Sequence, residues 1–384
     1  MKYNFDNIVD RRKTNSVKWG NSPYLEMWVA DMDFAVLPEI KEAIISKANI
    51  DAYGYVCPSD EYFESYVKWW KKRHNVELKK EWLIFSNGVV ASIDSILKRF
   101  ATPKDEVVML TPVYNIFFNC IKNNGCIASC CSFVYKNGEY SIDFKELERL
   151  LKSEKAKFLL LCNPHNPSGT IFTKGELKKI VDLAVKYDVL IISDEIHCDI
   201  THPKKEYTSI LSVCGDNYKH VVVLLSSTKA FNLAGLHTSA IAVPYRPYRT
   251  LISKAVGKDD IGEPNYFACE AAIAAFTYGE EYNKQLREYV FKNKQYVKDF
   301  FTKEIPSLKV VGGDATYLMW IDISSASKNS DGFTRELEAE EGLHICSGLA
   351  YGIEGKTFIR INVATSLENV KECCKRLKHF ILKK

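Results

Sequence analysis

Three short stretches hold the side chains that could do chemistry. They are Ser226-Ser227-Thr228-Lys229-Ala230-Phe231-Asn232-Leu233-Ala234-Gly235, Ser193-Asp194-Glu195-Ile196-His197 and Cys162-Asn163-Pro164-His165-Asn166-Pro167-Ser168-Gly169. Lys229 follows an apolar run and precedes Phe231, Leu233 and Leu236. Apolar neighbours desolvate an amine, lower its pKa and make it the better nucleophile that a Schiff-base lysine must be. Most lysines are surface residues, so Lys229 alone is a weak signal. Asp194 also ends an apolar run. A carboxylate there can keep a pyridine nitrogen protonated, which makes the ring an electron sink. Glu195 would face the other side of the strand, so Asp194 is the choice. Lysine and aspartate together point to pyridoxal 5'-phosphate.

Further residues suit the same cofactor. Asn163 to Gly169 is a turn between a strand and a helix, and from it the Asn166 amide could bond the phenolic oxygen. His197 could approach the same oxygen. Ser86-Asn87-Gly88-Val89-Val90 leads from a strand into a helix, whose free N–H groups at Gly88 and Val89 suit a phosphate. The Ser226 hydroxyl would complete that cup. Tyr114 follows a strand and could stack on the ring. Arg360 lies within an apolar strand and needs an anionic partner. That partner is a substrate carboxylate held in a bidentate pair, or a structural acid.

These residues must be positioned by a sheet. Short apolar runs occur at Trp82–Phe85, Val107–Leu110, Phe158–Cys162, Val189–Ile192, Val221–Leu225 and Ala240–Val243. Helical patterns cover Val89–Phe100, Phe144–Lys152 and Lys174–Lys186, and Thr173 with Glu176 reads as a capping box. Continuous apolar strands separated by helices predict an α/β fold with a mainly parallel sheet between helices. Ligands sit at the carboxyl ends of such strands, so the three stretches should converge on one rim. From about Glu280 the pattern changes to a long charged helix through Lys303. Apolar segments follow at Tyr317–Ile323 and Phe358–Val363, with a final helix from Leu367. The expected division is residues 1–45 as a segment packing with the small domain, 46–279 as a large cofactor-binding domain, and 280–384 as a smaller α+β domain.

The 384 residues are 46% hydrophobic and 26% charged, with a net charge of +4, and opposite charges are interspersed. This describes a globular chain with no signal for nucleic acid or membrane as a partner. The polar start lacks an apolar leader and favours the cytoplasm. The twelve cysteines lack regular spacing. No metal site is expected, and mostly buried, reduced thiols are. The adjacent pairs, Cys130-Cys131 and Cys373-Cys374, read as pointing to opposite faces of strands.

Over nearly its full length the chain resembles the fold type I, pyridoxal-phosphate-dependent aminotransferase superfamily, and within it the MalY/PatB-type cystathionine β-lyases. The markers are Asp10-Arg11-Arg12, Thr14-Asn15-Ser16, Lys18-Trp19, Trp28-Val29-Ala30-Asp31-Met32-Asp33-Phe34, Tyr53-Gly54-Tyr55, Gly88-Val89-Val90, Thr111-Pro112-Val113-Tyr114 and Asn123-Asn124-Gly125, with the three stretches above. The resemblance implies that Lys229 is the Schiff-base lysine and the acid/base at Cα. It implies cofactor contacts from Gly88, Val89, Tyr114, Asn166, Asp194, His197 and Ser226. Arg360 would bind the substrate carboxylate with Ala30 beside it. Tyr55 would reach the neighbouring subunit's phosphate, making a homodimer with shared sites. The implied activity is β-elimination of a sulfur amino acid, such as cystathionine, to a thiol, pyruvate and ammonia. Transamination shares the same residues, and a non-catalytic cofactor-binding regulator is the remaining reading. His237 stands where many aminotransferases carry a phosphate-binding arginine, Ser86-Asn87 replaces Thr-Pro before Gly88, and Asp314 replaces a glutamate.

Overall fold

The computed structural model describes residues 2–383. Its main sheet takes the apolar runs as strands. In chain order these are β1 (Leu83–Ser86), β2 (Glu106–Thr111), β3 (Ile127–Ser132), β4 (Ala156–Cys162), β5 (Leu190–Asp194), β6 (Val221–Leu225) and β7 (Ser239–Ala242). The order across the sheet is β1-β7-β6-β5-β4-β2-β3. Only β7 runs antiparallel to its neighbours. β5, β6 and β7 are buried along their whole lengths, which is why they read as unbroken apolar runs. Side chains alternate between two cores. Leu159, Leu161 and Ile191 join one cluster; Phe158, Leu160, Leu190 and Ile192 join the other.

The helices Val89–Phe100 and Lys174–Lys186 match their sequence patterns. The capping box is present: the Glu176 N–H donates to the Thr173 hydroxyl at 3.2 Å, and the Thr173 N–H donates to the Glu176 carboxylate at 2.8 Å. β3 had no apolar signature, because it is an edge strand with most residues outside the core. It carries Cys130 exposed and Cys131 buried, as alternation requires. The other adjacent pair corrects the expectation. Cys373 and Cys374 lie in the helix Leu367–Leu382, and both are buried.

The helix Glu280–Glu304 leads into a second sheet of β8 (Lys309–Val310), β9 (Leu318–Asp322), β10 (Cys346–Ser347) and β11 (Phe358–Asn362), ordered β8-β9-β11-β10 and antiparallel throughout. Among the described residues no helix is long and apolar enough to cross a membrane.

The N-terminal segment is tied to this second sheet region. Leu25–Glu26 pairs in parallel with Leu343–His344. The Asn362 N–H donates to the Met27 carbonyl at 2.8 Å, and the Asp33 N–H to the Ala364 carbonyl at 3.0 Å. Its charges close on one another. Asp33, wholly buried, accepts from Lys18 at 2.9 Å, Arg11 at 2.8 Å and the Trp19 indole at 2.7 Å, while Arg11 also pairs with Asp31 at 2.7 Å. The Asp-Arg-Arg, Lys-Trp and Ala-Asp-Met-Asp strings thus act as a structural clamp.

Candidate active site

A cavity of about 460 Å³ opens at the carboxyl ends of the main strands. Asn166 after β4, Asp194 at the end of β5 and Lys229 after β6 all line it. Ala30, Gly88, Val89, Tyr114 and His197 line it too. The sheet therefore brings together the three stretches that are far apart in sequence.

Burial sets the protonation of these groups. The Lys229 amine donates to the Ala30 carbonyl at 2.7 Å. Desolvation brings its pKa down to about 8, with the Arg360 charge acting in the same direction. Asp194 is buried, and desolvation pushes its pKa up to about 7 against the pull of the Ile196 N–H, which donates to it at 3.1 Å, and of Lys229. Glu195 is buried too but faces away. It accepts from Tyr207, from the Ser209 hydroxyl at 2.7 Å and from the Ile210 N–H at 2.9 Å, so its role is to hold the 207–210 segment. Desolvation takes His197 down to about 3, which keeps its ring neutral. Its Nδ1 is buried without a partner.

The helix Val89–Phe100 points its N-terminus at the cavity. Gly88 caps it at φ +149°, a backbone conformation that needs glycine although the space around it is open. In the turn before Lys229 the Ser226 hydroxyl bonds to the chain itself. That hydroxyl does not line the cavity; it donates to the Thr238 carbonyl at 2.7 Å and accepts from the Thr228 N–H at 3.1 Å. Thr228 and His237 line the cavity in its place.

Arg360, on β11, stands one hydrogen bond back. Its Nη1 donates to Asn166 Oδ1 at 3.3 Å and its Nη2 to the Trp28 carbonyl at 2.6 Å, and it lies over the Tyr351 ring at 5.0 Å. The guanidinium is buried, its Nε has no partner, and no ion pair joins it to a carboxylate among the described residues. A structural salt bridge is therefore not its role. Asn166 spends its oxygen on Arg360, which leaves its amide to donate into the cavity. Tyr55 is not in the cavity of its own chain; it is 99% exposed.

Sequence reading gave no role to two groups. Tyr317 donates to the Ala30 carbonyl at 2.9 Å, and nothing in its spacing marks it among 21 tyrosines. Asn232 donates to the Met32 and Phe34 carbonyls, both at 2.9 Å, and so pins the clamp over the Lys229 turn. Its place three residues after Lys229 was the available signal.

The residues fit pyridoxal phosphate on the structure's own terms. A nucleophilic amine and a buried carboxyl flank one cavity, an unpartnered imidazole nitrogen lies beside them, and a helix N-terminus offers a phosphate seat.

Comparison with known proteins agrees. The family model for aminotransferase class I and II matches residues 22–377. The chain is 32% identical to cystathionine beta-lyase PatB of Bacillus subtilis, over 98% of this chain and 99% of that one. Among solved structures, cystalysin from Treponema denticola, which contains a pyridoxal 5'-phosphate cofactor, superposes with a TM-score of 0.95 at 30% identity, and each chain is covered in full. The pyridoxal-phosphate-bound C–S lyase from Staphylococcus hominis gives 0.94 at 30% identity, again with both chains covered in full.

Proposed function

The chain belongs to the aminotransferase class I and II family, and from that premise we propose that it is a pyridoxal-phosphate-dependent C–S β-lyase, acting on cystathionine or related S-substituted cysteines. The observation that carries the reading is the convergence of Lys229, Asp194 and Asn166 on one cavity, with the unpaired Arg360 behind it. The lyase reading is preferred to transamination because the matches to the cystathionine beta-lyase of Bacillus subtilis and the C–S lyase of Staphylococcus hominis run over nearly their full lengths.

When bound, pyridoxal phosphate supplies an electron sink for the electrons of the Cα–H bond. Asp194 would hold the pyridine nitrogen, and an adjacent cation would return its carboxyl to the ionised form. The Asn166 amide would face the phenolic oxygen, with His197 kept neutral by burial alongside. The Gly88 and Val89 N–H groups would meet the phosphate, helped by Thr228 and His237, and Tyr114 would cover one ring face. Arg360 would take the substrate carboxylate, which supplies the anion its burial demands. The Lys229 amine, with its pKa near 8, can then leave the Ala30 carbonyl and accept the Cα proton. Loss of the Cβ–sulfur bond, with a proton delivered to the sulfur, gives the thiol, and water hydrolyses the remaining amine fragment to pyruvate and ammonia.

The unit would be a homodimer in the cytoplasm. Tyr55 lies in an exposed stretch with Ile50 and Tyr53, a surface suited to a second copy whose cavity Tyr55 would complete. The division into residues 1–45, 46–279 and 280–384 belongs to the same reading.

The test mixes the loaded protein with L-cystathionine and follows thiol and pyruvate. Equal yields of both are expected. Their loss by about a thousandfold or more in Lys229→Ala fits removal of the proton carrier. Bound cofactor that gives no pyruvate from cystathionine or any other thioether amino acid, but consumes a 2-oxo acid, would move the assignment to transamination.

A further inference from the structure

A larger cavity, of about 810 Å³, shares no lining residue with the active site. It lies between the end of the helix Asp60–His74, the 201–212 segment and the helix Glu280–Glu304. Its wall carries the cations Lys72, Arg73, Lys174, Lys205 and Arg287, with His74 beside them; its acids are Glu77 and Glu206. Several of these groups already have partners. Lys72 pairs with Glu280, Lys205 with Asp314 at 3.1 Å, and His74 with Asp199 at 2.8 Å. Glu77 is taken by Lys71.

The two arginines differ. Arg287 is largely buried and has no carboxylate in ion-pair contact; it donates to the Thr201 carbonyl at 2.7 Å and the His202 carbonyl at 3.3 Å. Desolvation takes its pKa down to about 10, and the Arg73 charge pushes the same way. Among the described residues Arg73 reaches only the carboxylate of Asp199, at 4.0 Å, and that carboxylate already accepts from Trp69 and His74. One terminal nitrogen of Arg73, Nη2, is buried with no partner. Two guanidinium groups thus line one roomy polar cavity, and the carboxylate nearest Arg73 is already shared with Trp69 and His74. Guanidinium forks in that condition suit a planar or tetrahedral oxyanion, which can accept from both.

We propose that this cavity is a second ligand site, for a small multivalent oxyanion held by Arg73 and Arg287. Carboxylate and phosphate groups share the required chemistry. The site also lies on the back of the chain that carries the catalytic side chains. Tyr207, in its wall, donates to Glu195, the neighbour of Asp194, and the Thr201 carbonyl that Arg287 holds is four residues past His197.

Titration calorimetry on the cofactor-loaded protein tests this, with citrate and inorganic phosphate as probes and chloride at matched ionic strength as the blank. Loading keeps the catalytic phosphate seat filled. At least one probe should bind, and Arg73→Met should weaken that binding about tenfold or more, the worth of a charge-assisted bidentate contact. Whichever probe binds more tightly identifies the source as carboxylate or phosphate. Arg73 is partly exposed, so its variant should fold; Arg287→Met is the second variant, read only if its cofactor absorbance matches the parent. Heats no greater than those of chloride, or a folded Arg73→Met that binds both probes as the parent does, would overturn the proposal.

Discussion

The N-terminal clamp and the active-site cavity both bury charge, and they do so in opposite ways. In the clamp, Asp33 gathers Lys18, Arg11 and Trp19, and Arg11 also pairs with Asp31. In the cavity region, Arg360 is buried without an acid, His197 Nδ1 has no partner, and Asp194 is pushed up to about 7 by desolvation. Paired buried charges make a structure that stays closed. Unpaired ones cost stability and persist where a ligand completes them. The contrast separates two sets of motif residues that look alike in sequence.

The clamp should break hardest. Asp33→Ala takes its close partner from the buried Lys18 amine, leaving it only Asp31 at 3.7 Å, and a loss of roughly 3–5 kcal/mol in denaturant unfolding is expected. A loss below about 1 kcal/mol would mean that the clamp charges are as dispensable as surface pairs.

The cavity predicts the reverse sign for cofactor-free protein. In the folded chain Asp194 releases its proton at about 7 rather than 3.8. The folded state thus binds more protons within that window, and stability falls as pH rises through it. Asp194→Asn removes the penalty. The cofactor-free variant should be more stable than its parent at about pH 8, by on the order of 3 kcal/mol, with no difference near about pH 4. Thermal melts across that range check it, and a variant that is less stable at the higher pH contradicts it. Lys229 works in the opposite sense. Its penalty is full below about 8 and lifts as pH rises toward 10.5.

Arg360→Met sharpens the same point. It should weaken kcat/KM by roughly 2–3 kcal/mol, because a charge-assisted carboxylate contact is lost, yet leave the melting temperature of cofactor-free protein unchanged or higher. A clear drop in melting temperature would make Arg360 part of the scaffold. Smallest is Tyr317→Phe, which joins the two regions at the Ala30 carbonyl. It should cost about 1 kcal/mol, one neutral hydrogen bond, read by unfolding.

How far the sequence could be read follows from the same physics. Strands buried on both faces announced themselves, as β5 and β6 did, because both of their side-chain rows are apolar. The helix Lys174–Lys186 was legible from its cap. The edge strand β3 was not, since Ile127-Ala128-Ser129-Cys130-Cys131-Ser132 has little to bury. Strand alternation put Asp194 and Glu195 on opposite faces without saying which enters the cavity, and the two side chains do part company. Which of Ser226 and Thr228 faces the cavity is decided by a turn, which has no period of its own to read. Tyr317 and Asn232 act through contacts with the 30–34 segment, almost 300 and 200 residues away, and local pattern carries no trace of such partners.

The closure of the clamp also sets an order of assembly. Leu25 pairs with Leu343, Met27 with Asn362 and Asp33 with Ala364. On the ribosome the 25–33 segment must wait, unsatisfied, until residues 343–364 have emerged. The main sheet, with its six strands of one direction and the Lys229 turn, is already synthesised by then. Ala30, whose carbonyl parks the Lys229 amine, is therefore made before that lysine and seated after it. A nascent chain would hold an open, unguarded lysine until Leu343, Asn362 and Ala364 have emerged.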